Sequence, residues 1–144
     1  MKARVINEGK QRTFALVFDP GEEVLAGLTA FVREHRVGAA EFSGIGALSD
    51  AVLGYFDWPS KQYRRIPVPE QVEVVSLIGN VALGPDDQPS LHPHIVVSKS
   101  DGTAMGGHLL EAHVRPILEL VVTESPAHLH RRKDTETGLA LLRL

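Results

Sequence analysis

The sequence contains no cysteine, only one tryptophan and no excess of positive charge, and these shortages narrow what the chain can do. Without thiols there is no disulfide framework, no thiolate zinc finger, no iron–sulfur cluster and no cysteine nucleophile. The 15 basic residues are outnumbered by 18 acidic ones, and a formal net charge of −3 argues against strong phosphate binding by the bare domain.

Long apolar runs are missing as well. The longest, around residues 117–122, is interrupted by Glu119 and is far shorter than the roughly 18–20 residues of a membrane span. Residues 1–10 are polar and lack the apolar segment of a signal peptide. We therefore expect a cytoplasmic protein with no membrane partner. The length of 144 residues and the 43% hydrophobic content predict that residues 1–144 form a single domain.

Most of the chain has the pattern of β-strands, in which short runs of apolar and β-branched residues end at turn residues. The predicted strands are residues 13–18, 40–43, 49–57, 62–68, 72–83, 91–98, 103–109, 117–123 and 139–144. Residues 62–68, with Arg64 and Arg65, are charged enough for a solvent-facing edge strand. We interpret Gly44 and Gly46 as a tight turn, because a phosphate loop would need a third glycine and a following helix.

One segment has a helical pattern. Its apolar residues recur at the helical period and form one stripe: Val24, Leu25, Leu28, Phe31 and Val32. Asp19 is the expected N-cap with Pro20 and Glu22 in the first turn, and Gly38 lies just past the expected end. One main amphipathic helix flanking a large, mainly antiparallel β-sheet defines an α+β domain, which is the fold class that we predict.

The most informative feature is a pair of histidines, His92 and His94, followed fourteen residues later by His108. Residues i and i+2 of a strand share a face, so His92 and His94 project side by side. Residues 100–102 are typical of a three-residue hairpin loop in which Gly102 takes the left-handed conformation. In that register His94 pairs with His108, and directly opposed Cβ atoms are about 4.5–5.5 Å apart.

Two other arrangements remain open. A two-residue turn at Asp101 and Gly102 would shift the register by one residue and send His108 to the opposite face of the hairpin. A bulge at Gly106 and Gly107 would also change the register. Pro93 adds a constraint, because it has no N–H to donate to a neighbouring strand.

Three imidazoles that meet at one point favour a metal site. Neutral imidazole suits zinc, and nickel, copper or iron accept the same ligands. Three protein ligands leave a fourth position open, as in catalytic zinc sites. The competing interpretation is three ordinary hydrogen-bonded histidines beside a turn. Glu73, Glu111 and Glu119 are the carboxylates near these strands, and spacing alone places none of them at the site.

A second pair of histidines, His128 and His130, precedes Arg131, Arg132 and Lys133. This segment could hold a second metal or contact a phosphate. It lies in a polar stretch after a proline, however, and we interpret it as a solvated loop.

Together these motifs resemble the plants-and-prokaryotes conserved (PPC) domain, which plants attach to AT-hook DNA-binding motifs and which bacteria and archaea make as a stand-alone protein. The segments that carry the resemblance are residues 73–80, 84–85, 91–94 and 106–109, together with 44–47, 54–57 and 132–138. The resemblance covers nearly the whole chain. It implies an α+β sheet with a flanking helix that assembles as a homotrimer, and it implies that His92, His94 and His108 bind zinc.

Three functions are consistent with this sequence. The first is a homotrimeric PPC-domain protein with a three-histidine zinc site that acts as a ligand-binding or interaction module, with a link to DNA-associated regulation. The second is a zinc-dependent enzyme that uses a metal-bound water on a small polar substrate. Direct DNA binding ranks lowest, because the AT-hook core Arg-Gly-Arg-Pro is absent and the net charge is −3. A shared fold does not transfer the function of an attached motif.

Overall fold

The computed structural model describes all of residues 1–144 and contains nine β-strands and one α-helix. In chain order these are β1 (Lys2–Asn7), β2 (Thr13–Phe18), α1 (Val24–Glu34), β3 (Ala39–Asp57), β4 (Gln62–Val68), β5 (Val72–Leu83), β6 (Pro89–Ser98), β7 (Ala104–Glu124), β8 (His130–Lys133) and β9 (Ala140–Arg143). The single helix, at 11 residues, falls well short of a membrane-crossing length.

All nine strands belong to one sheet, and every pairing between them is antiparallel except a single parallel contact between β5 and β8. The long strand β3 pairs with β5 on one side and with β7 on the other. Strand β6 in turn joins β5 to β7, so these four strands form a closed circuit of pairings. The mainly antiparallel sheet is confirmed, and one short helix beside it is consistent with the predicted α+β class.

The hydrophobic core lies between α1 and one face of the sheet, where 26 buried residues form a single cluster. The helix contributes Val24, Leu28, Phe31 and Val32 to it. The ring of Phe31 meets that of Phe14 on β2 edge-on, with 5.1 Å between centroids. This packing leaves the opposite face of the central strands uncovered, and the predicted site residues lie on that face.

The expected start of the helix at Asp19 is wrong. Helix α1 begins at Val24, and its N-cap is Glu23, whose carboxylate accepts a hydrogen bond from the Ala26 N–H. The reason lies at Gly21, which has φ +83° and donates its N–H to the Val114 carbonyl of β7 at 2.8 Å. A left-handed residue tied to a neighbouring strand cannot belong to a helix, so the chain turns once before α1 starts.

The end of the helix also differs from expectation. Arg36, with φ +54°, takes the left-handed position that we assigned to Gly38. The Val37 N–H then donates to the Val32 carbonyl at 2.8 Å, which is the long bond of a Schellman cap. Burial of the Val37 side chain in the core favours this earlier end.

The tight turn predicted at Gly44 and Gly46 is absent, and β3 runs through both residues as one bulged strand. A Cβ atom at Gly46 would lie 2.3 Å from the carbonyl oxygen of Ile117 on β7, and Gly46 itself has φ +152°. The glycine therefore allows close approach of two strands. Strand β7 likewise joins two predicted strands, and β1 and β8 have no counterpart among the predictions.

Candidate metal centre

The β6–β7 hairpin adopts the three-residue loop that the sequence predicts. The Lys99 N–H donates to the Thr103 carbonyl and the Gly102 N–H donates to the Lys99 carbonyl, both at 2.9 Å. Gly102 has φ +82°, the conformation that this loop requires. As a result His94 pairs with His108 in the ladder, and the alternative register that separates them is excluded.

The hairpin brings three histidine side chains together on the uncovered face of the sheet. The ring centroids of His92, His94 and His108 are 5.1–5.4 Å apart, and one nitrogen of each ring lies within 4.8 Å of the others. Zinc–nitrogen bonds of about 2.0–2.1 Å in a tetrahedral site place ligand nitrogens about 3.4 Å apart. Small side-chain rotations suffice to bring the three ring nitrogens from the separations of up to 4.8 Å seen here to about 3.4 Å. The residues present therefore fit a transition metal ion.

Burial holds two of the three imidazoles in the neutral form that binds metals. It lowers the pKa of His108 to about 4, with a smaller contribution from the neighbouring His92 and His94. The pKa of His92 is lowered too, by burial first and then by the charge of Arg131. The Nδ1 atom of His108 is buried and has no hydrogen-bond partner in the chain. A neutral imidazole with a free buried nitrogen is suited to a metal ligand.

Neighbouring residues allow His108 to reach this position. A Cβ atom at Gly107 would lie 2.8 Å from the carbonyl oxygen of Gly54, so the glycine lets β7 approach β3 closely. Pairing between β6 and β7 extends from the loop as far as His94 and His108, so it stops short of the adjacent Pro93. The missing N–H of Pro93 therefore costs no bond to β7, while Pro93 remains paired with Gly79 in the β5–β6 ladder.

Tyr63 on β4 is the first site residue that sequence reasoning missed. Its ring stacks on that of His108 with 4.9 Å between centroids and 30° between planes. Stacking of this kind restricts the orientation of the imidazole and so positions its ring nitrogens. Tyr63 lies on a charged edge strand, remote in sequence from the histidines, and no spacing pattern connects the two.

Arg131 is the second missed residue, and it corrects our interpretation of residues 128–133 as a solvated loop. His130–Lys133 form β8, and Arg131 is only 4% exposed. Its Nη2 donates to Oδ1 of Asn80, which pairs with His92 in the β5–β6 ladder. Three consecutive basic residues look alike in the sequence, and only strand pairing decides which one points inward.

None of the three candidate carboxylates reaches the histidines. Glu111 pairs with Arg65 at 3.1 Å, Glu119 lines a separate groove, and Glu73 lies opposite Ser98 near the far end of β5. The carboxylate that lines a cavity together with His92 and His94 is Glu41 on β3. This cavity has a volume of about 590 Å³ and opens on the uncovered face of the sheet.

A fourth histidine, His113, takes part in a separate ion pair. Its Nδ1 lies 2.8 Å from Oδ1 of Asp50, whose other oxygen accepts a hydrogen bond from Ser49 at 2.7 Å. This contact raises the pKa of His113, and the charges of Asp50, Glu23 and Glu111 add to the effect. The pKa of the Asp50 carboxyl is lowered in turn, first by the hydrogen bond from His113.

We predict that the Asp50–His113 pair makes folding stability depend on pH. Because folding raises the pKa of His113, protonation of His113 stabilises the fold, and this stability is lost as the pH rises above that pKa. Because folding lowers the pKa of Asp50, ionisation of Asp50 also stabilises the fold, and this stability is lost on acidification. His113→Ala should therefore lower the free energy of unfolding by up to about 1 kcal/mol at about pH 5, and by less at about pH 8.5. Urea unfolding at both pH values measures the difference. The exposed His128→Ala is the control, and equal losses at both pH values would contradict the prediction.

The fold and the site define a class of protein that has one mainly antiparallel sheet, one short helix and a three-histidine cluster on the uncovered face of the sheet. The chain belongs to the Plants and Prokaryotes Conserved domain family, whose model matches residues 6–126. The resemblance noted in the sequence is thereby confirmed. Residues 127–144 lie outside the match and add β8 and β9 to the same sheet.

Solved structures of similar chains support the assignment. A plant- and prokaryote-conserved (PPC) protein of Pyrococcus horikoshii is 34% identical, with 92% of each chain covered and a TM-score of 0.86. A metal-containing protein of Archaeoglobus fulgidus is 34% identical, with 99% of this chain and 97% of that chain covered and a TM-score of 0.84. A protein of Bacteroides thetaiotaomicron described as a putative DNA-binding protein is 28% identical, with 98% and 96% covered and a TM-score of 0.87.

Among curated proteins, the chain is similar to the bifunctional protein GlmU of Synechococcus sp. (strain JA-3-3Ab). The two are 29% identical over 133 residues, which are 90% of this chain. The chain spans 20% of the length of that relative.

Proposed function

We propose that this chain is a cytoplasmic, homotrimeric member of its family that binds zinc, or another divalent transition metal, through His92, His94 and His108. In this proposal it acts as a ligand-binding or interaction module, with a link to DNA-associated regulation. The observation that carries the proposal is the convergence of three ring nitrogens within 4.8 Å on one hairpin. When bound, an ion with three imidazole ligands supplies a Lewis-acidic position for an oxygen or nitrogen ligand.

Two further observations support a metal at this position. The unpartnered, buried Nδ1 of His108 is a donor atom without another use in the chain. The Archaeoglobus fulgidus relative is described as metal-containing. The donor set of three nitrogens and no thiolate suits zinc, nickel, copper or iron(II) better than magnesium or calcium, which prefer oxygen ligands.

Metal analysis of tag-free protein tests the proposal. Elemental analysis by mass spectrometry, after dialysis against metal-free buffer, should find about one equivalent per chain if the site has an affinity typical of such centres. Anomalous scattering at the absorption edges of zinc, nickel, copper and iron would identify the ion. A content below about a tenth of an equivalent, which reloading with zinc does not raise, would contradict the metal site.

Exposed apolar side chains support a homotrimer. Ile45, Val75 and Val121 line one groove of about 510 Å³ on the uncovered face, and each is at least 43% exposed. Ile78 extends the same surface to the histidines, because it pairs with His94. A contiguous apolar patch of this kind marks an interaction surface. A second and third copy of the chain would cover it in a closed assembly.

A zinc-dependent enzyme is the second candidate, and Glu41 is the observation that favours it. Glu41 lines the cavity that contains His92 and His94, so a small polar substrate in that cavity would have a carboxyl group available as general acid or base. Hydrolysis of a small activated ester by zinc-loaded protein tests the candidate. Loss of the rate in Glu41→Gln with full metal content supports it, and an unchanged rate contradicts a role for Glu41.

Direct DNA binding is the third candidate, supported by the description of the Bacteroides thetaiotaomicron relative. The two adjacent basic residues of β4 are both engaged: Arg64 lies over the Tyr55 ring and Arg65 pairs with Glu111. With a net charge of −3, we predict no binding to duplex DNA at about 50–200 mM salt. Fluorescence anisotropy with a labelled duplex measures this. Binding that weakens steeply between about 50 and 200 mM salt would contradict the prediction.

A further inference from the structure

A small cavity adjoins the histidine cluster on the side of β8 and β9. Its volume is about 200 Å³, and the residues that line it include His92, His108, Tyr63 and Arg131. The cavity is smaller than the roughly 300–1,000 Å³ of pockets for drug-sized ligands. Any molecule that it holds together with the metal ligands is therefore small.

Arg131 is the unusual member of this lining. A buried arginine is ordinarily paired with a carboxylate. Arg131 is 4% exposed, yet no aspartate or glutamate of the chain forms a salt bridge with it. Its side chain donates one hydrogen bond, from Nη2 to the neutral amide of Asn80, and its Nε is buried without a partner. A guanidinium has five N–H donors, so most of its binding capacity is unused.

Arg131 lies beside two of the three histidines. It lines the cavity together with His92 and His108, and Asn80, which accepts its hydrogen bond, faces His92 across the β5–β6 ladder. Burial lowers the pKa of Arg131 itself, but an arginine side chain stays protonated in proteins. The cavity thus presents a fixed cation beside the position where an ion would be held.

We propose that this cavity binds a small organic anion, with its carboxylate on Arg131 and the rest of the molecule directed toward the three histidines. This inference rests on the proposed metal site, which would hold the other end of the ligand. The planar guanidinium matches the geometry of a carboxylate and neutralises its charge in a water-poor setting.

The remaining walls define the rest of the ligand. The lining also includes Tyr63, one small polar residue, Ser90, and four aliphatic residues: Leu91, Leu139, Ala140 and Leu141. These side chains favour a short uncharged or apolar chain next to the carboxylate. An inorganic anion would satisfy Arg131 but would leave the apolar walls uncovered. The chemistry of the lining therefore indicates that the ligand of this cavity is an organic carboxylate with a few carbon atoms.

Ligand-observed NMR titration of the zinc-loaded protein with propanoate tests this assignment, and propanamide and inorganic phosphate serve as comparison probes. Arg131→Met removes the charge. Asn80→Asp keeps Arg131 in place and neutralises it with a carboxylate, so it remains informative if Arg131→Met fails to fold. Arg132→Met is the matched control, because Arg132 is the exposed neighbour on the same strand. Metal content is measured for every variant.

We expect propanoate to bind at least about tenfold more tightly than propanamide, and to lose at least about tenfold in affinity in Arg131→Met and Asn80→Asp. Arg132→Met should bind like wild type, and all variants should retain metal. Equal propanoate affinity in wild type and Arg131→Met would overturn the inference. Phosphate that binds more tightly than propanoate would overturn the assignment to an organic anion.

The same experiment separates the two proposals. A wild-type protein that cannot be loaded with metal but still binds propanoate through Arg131 would contradict the metal site and leave the anion site standing. A metal-loaded protein that binds propanoate independently of Arg131 would contradict the anion site alone. A trimer in which a partner's carboxylate already pairs with Arg131 would show equal, weak binding of all three probes, which also overturns the inference.

Discussion

Replacing His108 with alanine is expected to abolish metal binding while the fold survives. His108 supplies one of three converging nitrogens, and its pKa of about 4 keeps that nitrogen unprotonated at neutral pH. Removal of a ligand leaves two imidazoles, of which His94 is exposed. Changes to residues that merely orient a ligand already cost 10–100-fold in affinity, so loss of a ligand should cost more than about 100-fold. Metal content should fall below about a tenth of an equivalent per chain.

His128→Ala is the matched control for this variant, because His128 is an exposed histidine outside the cluster. It should retain the metal content of wild type, and circular dichroism should show both variants folded. Light scattering adds a second result. A trimer that persists in His108→Ala would show that the metal does not hold the assembly together. Full metal content in a folded His108→Ala protein would contradict the site.

Ile45→Asp is expected to convert the proposed trimer to monomers. Ile45 is 61% exposed at the bulge of β3 and lines the apolar groove with Val75 and Val121. A carboxylate buried in an apolar subunit interface lacks a partner, and this costs several kcal/mol per site. Because a trimer has three equivalent contacts, the cost recurs at each of them.

Light scattering measures this effect directly. Wild type should have three times the mass of the 15.7 kDa chain, and Ile45→Asp should have the mass of one chain. Ile6→Asp is the control, since Ile6 on the edge strand β1 is 55% exposed but lies away from the groove. A wild-type protein of 15.7 kDa would contradict the homotrimer, and an unchanged mass in Ile45→Asp would exclude this face as the interface.

The histidine cluster could be predicted because its determinants are local. His92 and His94 share a face by strand periodicity, and a three-residue loop with glycine at its third position fixes the pairing of His94 with His108. The glycine at the third loop position favours the three-residue loop over a two-residue turn, and the two-residue turn would have shifted the pairing by one residue. Strand β5 was predictable at both ends for the same reason, since its β-branched run ends at turn residues.

The rest of the candidate site could not be predicted, because it depends on pairings between distant segments. Arg131 lines its cavity only because β8 meets the end of β5, and Glu41 lines the same cavity as His92 only because β3 pairs with β5. The tight turn expected at Gly44 and Gly46 failed for the same reason. Those glycines accommodate the close approach of β7, a strand more than seventy residues later in the chain.

The sequence by itself determined the mainly antiparallel sheet, the hairpin that carries three imidazoles, the absence of thiol chemistry and the family of the chain. These follow from periodicity, turn residues and composition, which act over a few residues. Tertiary structure alone decided which arginine is buried, which glutamate shares the cavity and which apolar residues stay uncovered. Those outcomes depend on strand order across the whole sheet, because a side chain's neighbours on a sheet face come from strands far apart in the sequence.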